Sequence, residues 1–324
     1  MKRVLTGIKP SGTLQLGNYL GMVKEIIDMQ NKYEVFLMIA DLHAMTVPYK
    51  PKDLRNLTLD LAKSLLALGV DPNKTVIFKQ SDVPAHLYLQ WILTCLTPVG
   101  ELMRMHEFKE QSEKYKKEGV GAGILMYPVL MAADILIYNA DIVPVGEDQR
   151  QHLELARDLA KKFNKRFSKI FKIPEIYIQP ETAKIMSLTN PSKKMSKSEP
   201  EGCLEIFEKE SVIKEKILKA VTDSETIIRY DPENKPGISN LMTIYKYLTK
   251  KSFSEIEDEF KNKTYYEFKL AVYKAFMNFF KIARDKKKKI SNDYVQRILK
   301  LGAKKANKEA NKILEKILKV VGLR

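Results

Sequence analysis

Two segments of this 324-residue chain carry the residue types of a phosphate-binding site. The glycine segment, residues 7–18 (GIKPSGTLQLGN), follows a short apolar run and mixes glycines with small polar side chains. A strand that enters a helix through such a loop presents free backbone N–H groups to an anion. The lysine segment, residues 193–198 (KKMSKS), offers closely spaced ammonium and hydroxyl groups. Together the two segments predict one nucleotide site built from both ends of a sheet.

Each segment also has an interpretation without a ligand. The glycine segment could be a tight turn between strand and helix, because its glycine spacing matches neither the dinucleotide fingerprint nor the P-loop. The lysine segment could be a solvated loop, since lysine is abundant throughout the chain. Their occurrence in one chain favours the nucleotide site over both alternatives.

The positive charge is concentrated at the C-terminal end. The chain carries a net charge of +16, and residues 281–324 alone contain 15 basic and 4 acidic residues. A basic block of this kind attracts polyanions through counterion release. The alternative is a drift of exposed helix faces towards lysine, and the sequence favours nucleic-acid contact over that drift.

Composition excludes several classes of protein. No run of 18 apolar residues occurs, so no membrane span is predicted, and the first residues lack the apolar run of a signal peptide. The two cysteines, Cys95 and Cys203, are far apart, and the four histidines show no metal-ligand spacing. We therefore predict a cytoplasmic protein without a disulfide framework, bound zinc or an iron–sulfur cluster.

The order of the predicted elements indicates an α/β fold followed by helices. Short apolar runs alternate with helical stretches in the first half, which is typical of a Rossmann-like parallel sheet. The predicted strands are residues 4–6, 35–40, 75–79 and 142–145. From about residue 206 the pattern is helical, and the last helix has one apolar stripe. We predict a nucleotide-binding domain over residues 1–205, with a helical insertion at about 105–175, and an all-helical domain over residues 206–324.

Several segments carry a resemblance to a known family. Residues 10–18 (PSGTLQLGN) and 194–198 (KMSKS) resemble the two ATP signatures of class I aminoacyl-tRNA synthetases. The resemblance is narrowed to the bacterial type of tryptophanyl-tRNA synthetase by MAADIL at 131–136, VPVGEDQ at 143–149 and VTDS at 221–224. Shorter similar segments include ADLH at 40–43, residues 81–86, RYD at 229–231 and KPGISN at 235–240. The resemblance follows nearly the whole chain in order.

The resemblance implies a tryptophan–tRNA ligase. In that reaction ATP and the tryptophan carboxylate form tryptophanyl-adenylate and pyrophosphate, and tryptophan then passes to the 3′ end of tRNA(Trp). Because the first step is a displacement at the α-phosphate, the protein chiefly positions the reactants and neutralises charge. The resemblance also implies Mg²⁺ bound through the ATP phosphates, a homodimer, and tRNA binding by a helical anticodon-binding domain over residues 206–324.

The same resemblance implies a set of nucleotide-binding residues. Catalytic roles are implied for Lys194, Lys197, Asn18 and Gln15. The implied ATP-binding residues are Lys9, Pro10, Ser11, Gly17, Asn18, Gly146, Glu147, Asp148, Ile185, Lys194, Met195, Ser196, Lys197 and Ser198. Gln15 stands where class I enzymes often have His, and Lys9 where this family commonly has Gln. Neither change removes a hydrogen-bond donor, so we expect altered nucleotide affinity with the chemistry retained.

Asp134 is the residue most informative about the amino acid. A single carboxylate on an otherwise apolar helix needs donors, and from spacing alone it could cap a backbone N–H or pair with a cation. The resemblance implies that it accepts the indole N–H of tryptophan, which would reject phenylalanine but not tyrosine. Pocket walls are implied for Leu5, His43, Met131, Val143 and Val145, and ammonium contacts for Tyr127 and Gln149. Leu5, where the family often has Phe, predicts a somewhat wider pocket.

Alternatives remain for some residues and for the whole chain. Met131, Val143 and Val145 could be ordinary core, and His43 could equally be an interior histidine. Trp91, alone on its helix, is predicted to be core. A tyrosyl-tRNA synthetase shares the fold and both ATP signatures, although residues 132–135 and 146–152 favour tryptophan. A synthetase-like RNA-binding protein without activation chemistry is the other alternative, and the intact signatures argue against it.

Overall fold

A five-stranded parallel sheet forms the centre of the computed structural model, which describes residues 1–114, 119–178, 185–196 and 199–324. The strands are β1 (Arg3–Ile8), β2 (Glu34–Ile39), β3 (Thr75–Lys79), β4 (Ile142–Val145) and β5 (Glu175–Ile178). Their order is β3-β2-β1-β4-β5, with every pair parallel. The predicted Rossmann-like fold class is confirmed. From β1 the chain adds β2 and β3 on one side of the sheet and then β4 and β5 on the other, so the strand order reverses between β1 and β4. In such sheets ligands bind at the carboxyl ends of the two strands that flank this point.

Nine helices of the described residues surround the sheet before residue 170. They are α1 (Leu16–Asn18), α2 (Lys24–Met29), α3 (Asp41–Ala44), α4 (Pro51–Leu68), α5 (Ala85–Thr94), α6 (Val99–Met103), α7 (His106–Lys114), α8 (Ala122–Leu136) and α9 (Arg150–Arg166). A π-helical turn, Tyr19–Val23, joins α1 to α2. Gly69 ends α4 with φ of 115°, a left-handed conformation that favours glycine. The range 105–175, predicted as a helical insertion, holds α7, α8 and α9 but also β4 beside β1.

The described residues after 206 are helical, as predicted. The helices are α10 (Glu210–Leu218), α11 (Pro236–Thr249), α12 (Phe253–Phe260), α13 (Tyr265–Lys289) and α14 (Asn292–Val320). Ser252 and Thr264 begin α12 and α13 with capping boxes. The predicted apolar stripe of α14 is buried at Leu299, Ala303, Ala306, Ala310 and Ile317.

Helix α14 packs directly against the sheet. A Cβ atom added at Gly302 would lie 1.8 Å from the backbone oxygen of Ile77 in β3, so only glycine permits this approach. The Asn307 side chain also donates to the Asp82 carbonyl oxygen at 2.8 Å, just after β3. Residues 206–324 therefore share packing contacts with the sheet that precedes them.

One predicted core residue lies at the surface. The prediction that Trp91 is a core residue was wrong: the residue is 69% exposed. Helix α5 instead buries Ala85, His86 and Leu89 and packs against α8. Over the described parts of the chain, no helix is both long and apolar enough to cross a bilayer.

Candidate active site

A cavity of about 490 Å³ opens at the carboxyl ends of β1 and β4. Residues of both predicted groups line it: Leu5, Lys9, Gly17, Asn18, His43, Tyr127, Met131, Asp134, Val143, Val145, Gly146, Asp148, Gln149 and Lys194. A second cavity shares Lys9, Asn18 and Lys194 with the first, and adds Ser11, Gln15, Met195 and Ser196. The glycine segment and the described part of the lysine segment thus meet at one continuous depression.

Three of the predicted residues that the structure describes line neither cavity. Pro10 and Ile185 are buried and line neither cavity, and Ile185 belongs to the hydrophobic core. Glu147 is exposed and pairs with Arg150, whose Nε lies 2.6 Å from a Glu147 carboxylate oxygen. Lys197 and Ser198 lie outside the described residues. Their predicted roles remain predictions.

The helix start after the glycine segment leaves room for a ligand. Gly17 lies in α1 and lines the cavity, and a Cβ atom added there would meet no protein atom within 4 Å. Asn18 follows it and accepts a long hydrogen bond from the Gln15 backbone N–H, at 3.4 Å. Backbone N–H groups of a first helical turn lack intrahelical acceptors, which suits them to anion contact.

Gln15 connects the glycine segment to the lysine segment. Its side chain is buried, and Nε2 donates to the Met195 carbonyl oxygen at 3.4 Å. The other end of the amide, Oε1, accepts from the Cys203 thiol at 2.8 Å. Both functional atoms of this amide are therefore engaged by the chain that holds Lys194.

Lys194 lies on a short hairpin. We call residues 185–195 the lysine hairpin: Met186 and Lys194 form an antiparallel bridge across it. The Ser187 N–H donates to the Lys193 carbonyl at 2.8 Å, and the Met195 N–H donates to the Ile185 carbonyl at 2.9 Å. This pairing fixes the backbone from which the exposed Lys194 side chain reaches the two cavities.

Asp134 lies on the cavity floor in a dense set of donors. Its residue surface is only 1% exposed. His43 Nε2 lies 3.0 Å from Oδ2, and Gln80 Nε2 donates to both oxygens, at 3.0 and 2.8 Å. His86 Nδ1 lies 2.8 Å from Oδ1, but its alignment is poor for a hydrogen bond, so this contact is chiefly electrostatic. Of these donors, only His43 also lines the cavity.

These contacts keep Asp134 ionised. Burial alone would raise the pKa of the Asp134 carboxyl, but its close contacts with His43 and His86 outweigh burial and lower that pKa. A carboxylate with this pKa acts only as an acceptor at neutral pH. The site therefore suits a ligand that brings an N–H donor.

Gln80 and His86 were not predicted from the sequence. The Gln80 amide oxygen accepts from the His43 backbone N–H at 3.3 Å, which turns Nε2 towards Asp134. His86 Nε2 contacts the Tyr138 hydroxyl at 2.7 Å, and both residues are buried. Residues 81–86 were noted only as family-like, because no sequence spacing joins them to a carboxylate on α8.

A second polar chain begins beside His43, whose ring centroid lies 5.9 Å from that of Tyr127. The Tyr127 hydroxyl lies 2.8 Å from His152 Nε2, and His152 Nδ1 lies 3.0 Å from Gln149 Oε1. Burial lowers the pKa of His152, so the ring is neutral near pH 7. Because Gln149 Oε1 can only accept, Nδ1 carries the proton and Nε2 accepts from Tyr127. The Tyr127 oxygen then keeps lone pairs that can accept from a cation, and its contact with the substrate's ammonium group remains a prediction. His152 was not predicted.

Carboxylates add negative charge beside this chain. Glu107 of α7 lines the cavity together with Asp148. After burial, which is the largest influence, both carboxylates raise the pKa of the Tyr127 hydroxyl. This part of the cavity therefore favours a positively charged group. Within the described ranges, no cluster of three or more His, Cys, Asp or Glu side chains could hold a metal ion.

Comparisons with known proteins agree on one family. Residues 1–281 match the family described as tRNA synthetases class I (W and Y). The chain is 48% identical over 325 residues to the tryptophan–tRNA ligase of Clostridium acetobutylicum, covering 99% of this chain and 97% of that protein.

Two crystal structures have the same fold over nearly full length. Tryptophanyl-tRNA synthetase from Campylobacter jejuni, complexed with ADP and tryptophan, has a TM-score of 0.88 at 39% identity, with 99% of each chain covered. The Mycoplasma pneumoniae enzyme also has a TM-score of 0.88, at 37% identity, with 100% of this chain and 98% of that chain covered.

Proposed function

We propose that this chain, which belongs to the family of class I tRNA synthetases for tryptophan and tyrosine, is a tryptophan–tRNA ligase. The observation that carries the proposal is a single cavity with two unlike ends. One end is lined by Gly17, Asn18 and Lys194, and the other is lined by the ionised Asp134. A triphosphate suits the first end and an indole N–H suits the second.

ATP would bind between the glycine segment and the lysine hairpin. The open space beside Gly17 allows a phosphate to approach the α1 backbone, and Lys9 and Lys194 supply positive charge. Mg²⁺ would arrive with ATP, because phosphate oxygens and water are its preferred ligands. Lys194 then neutralises the departing pyrophosphate, a role that Lys197 is proposed to share.

Tryptophan would bind at the other end of the cavity. Its indole N–H donates to Asp134, beside or in place of His43 Nε2, since His43 is the cavity-lining donor of that group. Its ammonium group lies against Tyr127 and Gln149, where Glu107 and Asp148 add negative charge. Leu5, Met131, Val143 and Val145 enclose the ring by shape, which must also exclude tyrosine.

The reaction follows from this placement. A tryptophan carboxylate oxygen attacks the α-phosphorus, forming an O–P bond while the bond to the β-phosphate oxygen breaks and pyrophosphate leaves. A ribose hydroxyl of the 3′-terminal adenosine then attacks the carbonyl carbon, and AMP leaves with the bridging oxygen. In both steps the chain's residues align the reacting atoms and neutralise charge.

The assembly with RNA and with a second copy is also part of the proposal. The basic faces of α13 and α14, within a proposed anticodon-binding domain at residues 206–324, would contact tRNA(Trp) phosphates. A homodimer would bury the dimer face, which we define as Leu87, Tyr88, Trp91, Val99 and Met103, all exposed. Leu87, Tyr88 and Trp91 lie within about one turn of α5, and exposed apolar residues grouped in this way mark interaction surfaces. Charging of tRNA places the protein in the cytoplasm.

Amino-acid-dependent exchange of labelled pyrophosphate into ATP tests the activity. We expect exchange with tryptophan, and at least about 100-fold lower kcat/KM with tyrosine and phenylalanine, because a buried acceptor and a shaped cavity both discriminate. Preference for tyrosine would replace the proposal with a tyrosine ligase. Absence of exchange with all three amino acids, in folded protein, would support an RNA-binding protein without activation chemistry.

A further inference from the structure

Within the lysine hairpin, the backbone N–H and C=O of Met186 are not used in the hydrogen bonds between the two strands. Met186 and Lys194 face each other, but the hydrogen bonds of the bridge come from Ile185, Ser187 and their partners. In such a non-hydrogen-bonded antiparallel pair, the N–H and C=O of each residue point away from the other strand. The Met186 amide and carbonyl therefore face outward, towards the helices.

Asn240 of α11 takes both of these groups. Its Oδ1 accepts from the Met186 N–H at 2.9 Å, and its Nδ2 donates to the Met186 carbonyl at 2.9 Å. Asn240 thus pairs with Met186 as an adjoining strand would, through one side chain. It is 5% exposed, so water has little access to either bond.

The helix that carries Asn240 is itself held firmly. A Cβ atom added at Gly237, one turn before Asn240, would lie 2.1 Å from the Val221 carbonyl oxygen, so the helix lies against that segment. The Val221 N–H in turn donates to the Leu188 carbonyl at 2.8 Å, at the end of the first hairpin strand. Asn240 is therefore held in place by the packing of α11 and extends towards Met186, the residue paired with Lys194.

We infer that Asn240 is a positioning residue for Lys194, and this inference rests on the proposed function. By binding both backbone groups of Met186, Asn240 fixes the position and orientation of the hairpin relative to the ATP cavity. The glycine segment also reaches the hairpin through a side chain, but this hydrogen bond, from Gln15 Nε2 to the Met195 carbonyl, is long at 3.4 Å. The paired bonds of Asn240 are shorter and lie directly opposite Lys194.

Asn240 should influence the use of ATP without influencing the binding of tryptophan. Asn240 lines neither cavity, and its side chain bonds to Met186 and to none of the described residues proposed to bind tryptophan. Loss of its amide should displace Lys194 and leave Asp134 and Tyr127 unchanged. If Asn240 only stabilised the fold, its loss would lower the melting temperature, and the affinities for ATP and tryptophan would change together or not at all.

The test replaces Asn240 with leucine, which is similar in size but cannot form either hydrogen bond. In pyrophosphate exchange, Asn240→Leu should raise the KM for ATP or lower kcat by at least about tenfold, the effect of one lost buried pairing. The dissociation constant for tryptophan, measured by calorimetry, should stay within about twofold of wild type, because the two sites do not overlap. Asn240→Ser, which keeps one short polar group, serves as the milder variant if the leucine variant fails to fold.

Thr243→Val is the matched control. Thr243 lies on the same buried helix, and its hydroxyl donates to the Ser239 carbonyl at 2.8 Å, within that helix and not to the hairpin. It should lower the melting temperature without changing either KM. Folded Asn240 variants with wild-type kinetics for ATP, or with equal losses for ATP and tryptophan, would overturn the inference alone. Wild-type protein without tryptophan-dependent exchange would overturn the proposed function and, with it, this role of Asn240.

Discussion

The substitution Asp134→Asn tests how the cavity selects its amino acid. Asparagine has nearly the same shape as aspartate, but its amide NH₂ group replaces one acceptor. Three nitrogen atoms, from His43, Gln80 and His86, lie within 3.0 Å of this carboxylate, and the first two donate hydrogen bonds to it. The amide oxygen can serve only some of them, so at least one donor must face the NH₂ group.

The size of the effect follows from the charge of the acceptor. A hydrogen bond to a charged group contributes about 1.5–3 kcal/mol, which corresponds to a factor of about 10 to 150 in kcat/KM for tryptophan. Phenylalanine brings no N–H group, so its kcat/KM should change little. The ratio between the two amino acids should therefore fall by about the same factor. The unpaired buried donor should also cost about 1–3 kcal/mol of unfolding free energy.

Pyrophosphate exchange at saturating ATP, with tryptophan and phenylalanine in parallel, measures this ratio. Asp141→Asn is the matched control, because Asp141 is also a hydrogen-bonded aspartate of low pKa, yet it precedes β4 at the end away from the cavity. The reasoning is refuted if folded Asp134→Asn keeps the wild-type ratio. It is equally refuted if Asp141→Asn lowers the ratio as much.

Three further predictions concern packing, pH and assembly. Gly302→Ala should lower the free energy of unfolding by about 3 kcal/mol in urea titrations, because the added methyl group overlaps the Ile77 backbone; an equal loss in the exposed neighbour Leu301→Ala would contradict this. Burial opposes ionisation of Asp141, but a backbone N–H and Lys172 outweigh it and lower the Asp141 pKa. The contribution of Asp141 to stability is therefore complete above its ordinary pKa of 3.8 and is lost as the pH falls through the lowered pKa. The destabilisation by Asp141→Asn should be smaller at pH 3 than at pH 7. A larger destabilisation at pH 3 would contradict this. Trp91→Glu should shift the protein from dimer to monomer in sedimentation velocity, and an unchanged dimer would place the interface elsewhere.

The sequence predicted the parts of the fold that are set by local apolar pattern. β1 to β4 are apolar runs, and all four were predicted for that reason. β5 was missed because its side chains are only exposed or half buried, so it lacks a continuous apolar run. Trp91 was assigned to the core by residue type, yet its position on α5 decides its exposure.

The candidate site shows the same division. Asp134 could be singled out because one charge in an apolar helix is visible in the sequence. Its partners Gln80 and His86 could not, because their contacts depend on how α5 and the end of β3 pack against α8. Similarly, the link from Asn240 to the lysine hairpin joins residues 54 apart and leaves no periodic signal.

The central claim is that the glycine segment and the lysine hairpin hold one ATP molecule, and Gly17→Ala tests it most directly. The added methyl group meets no protein atom within 4 Å, and alanine is the better helix former, so the fold itself does not resist the change. Gly123→Ala is the control, since Gly123 is also helical with open space around it but lines neither cavity.

The deciding measurement is the KM for ATP in tryptophan-dependent pyrophosphate exchange. With Gly17→Ala it should rise at least about tenfold, as expected when a methyl group occupies space that a phosphate needs, while the melting temperature and the dissociation constant for tryptophan stay at wild-type values. A wild-type KM for ATP in the folded Gly17→Ala protein would contradict the account.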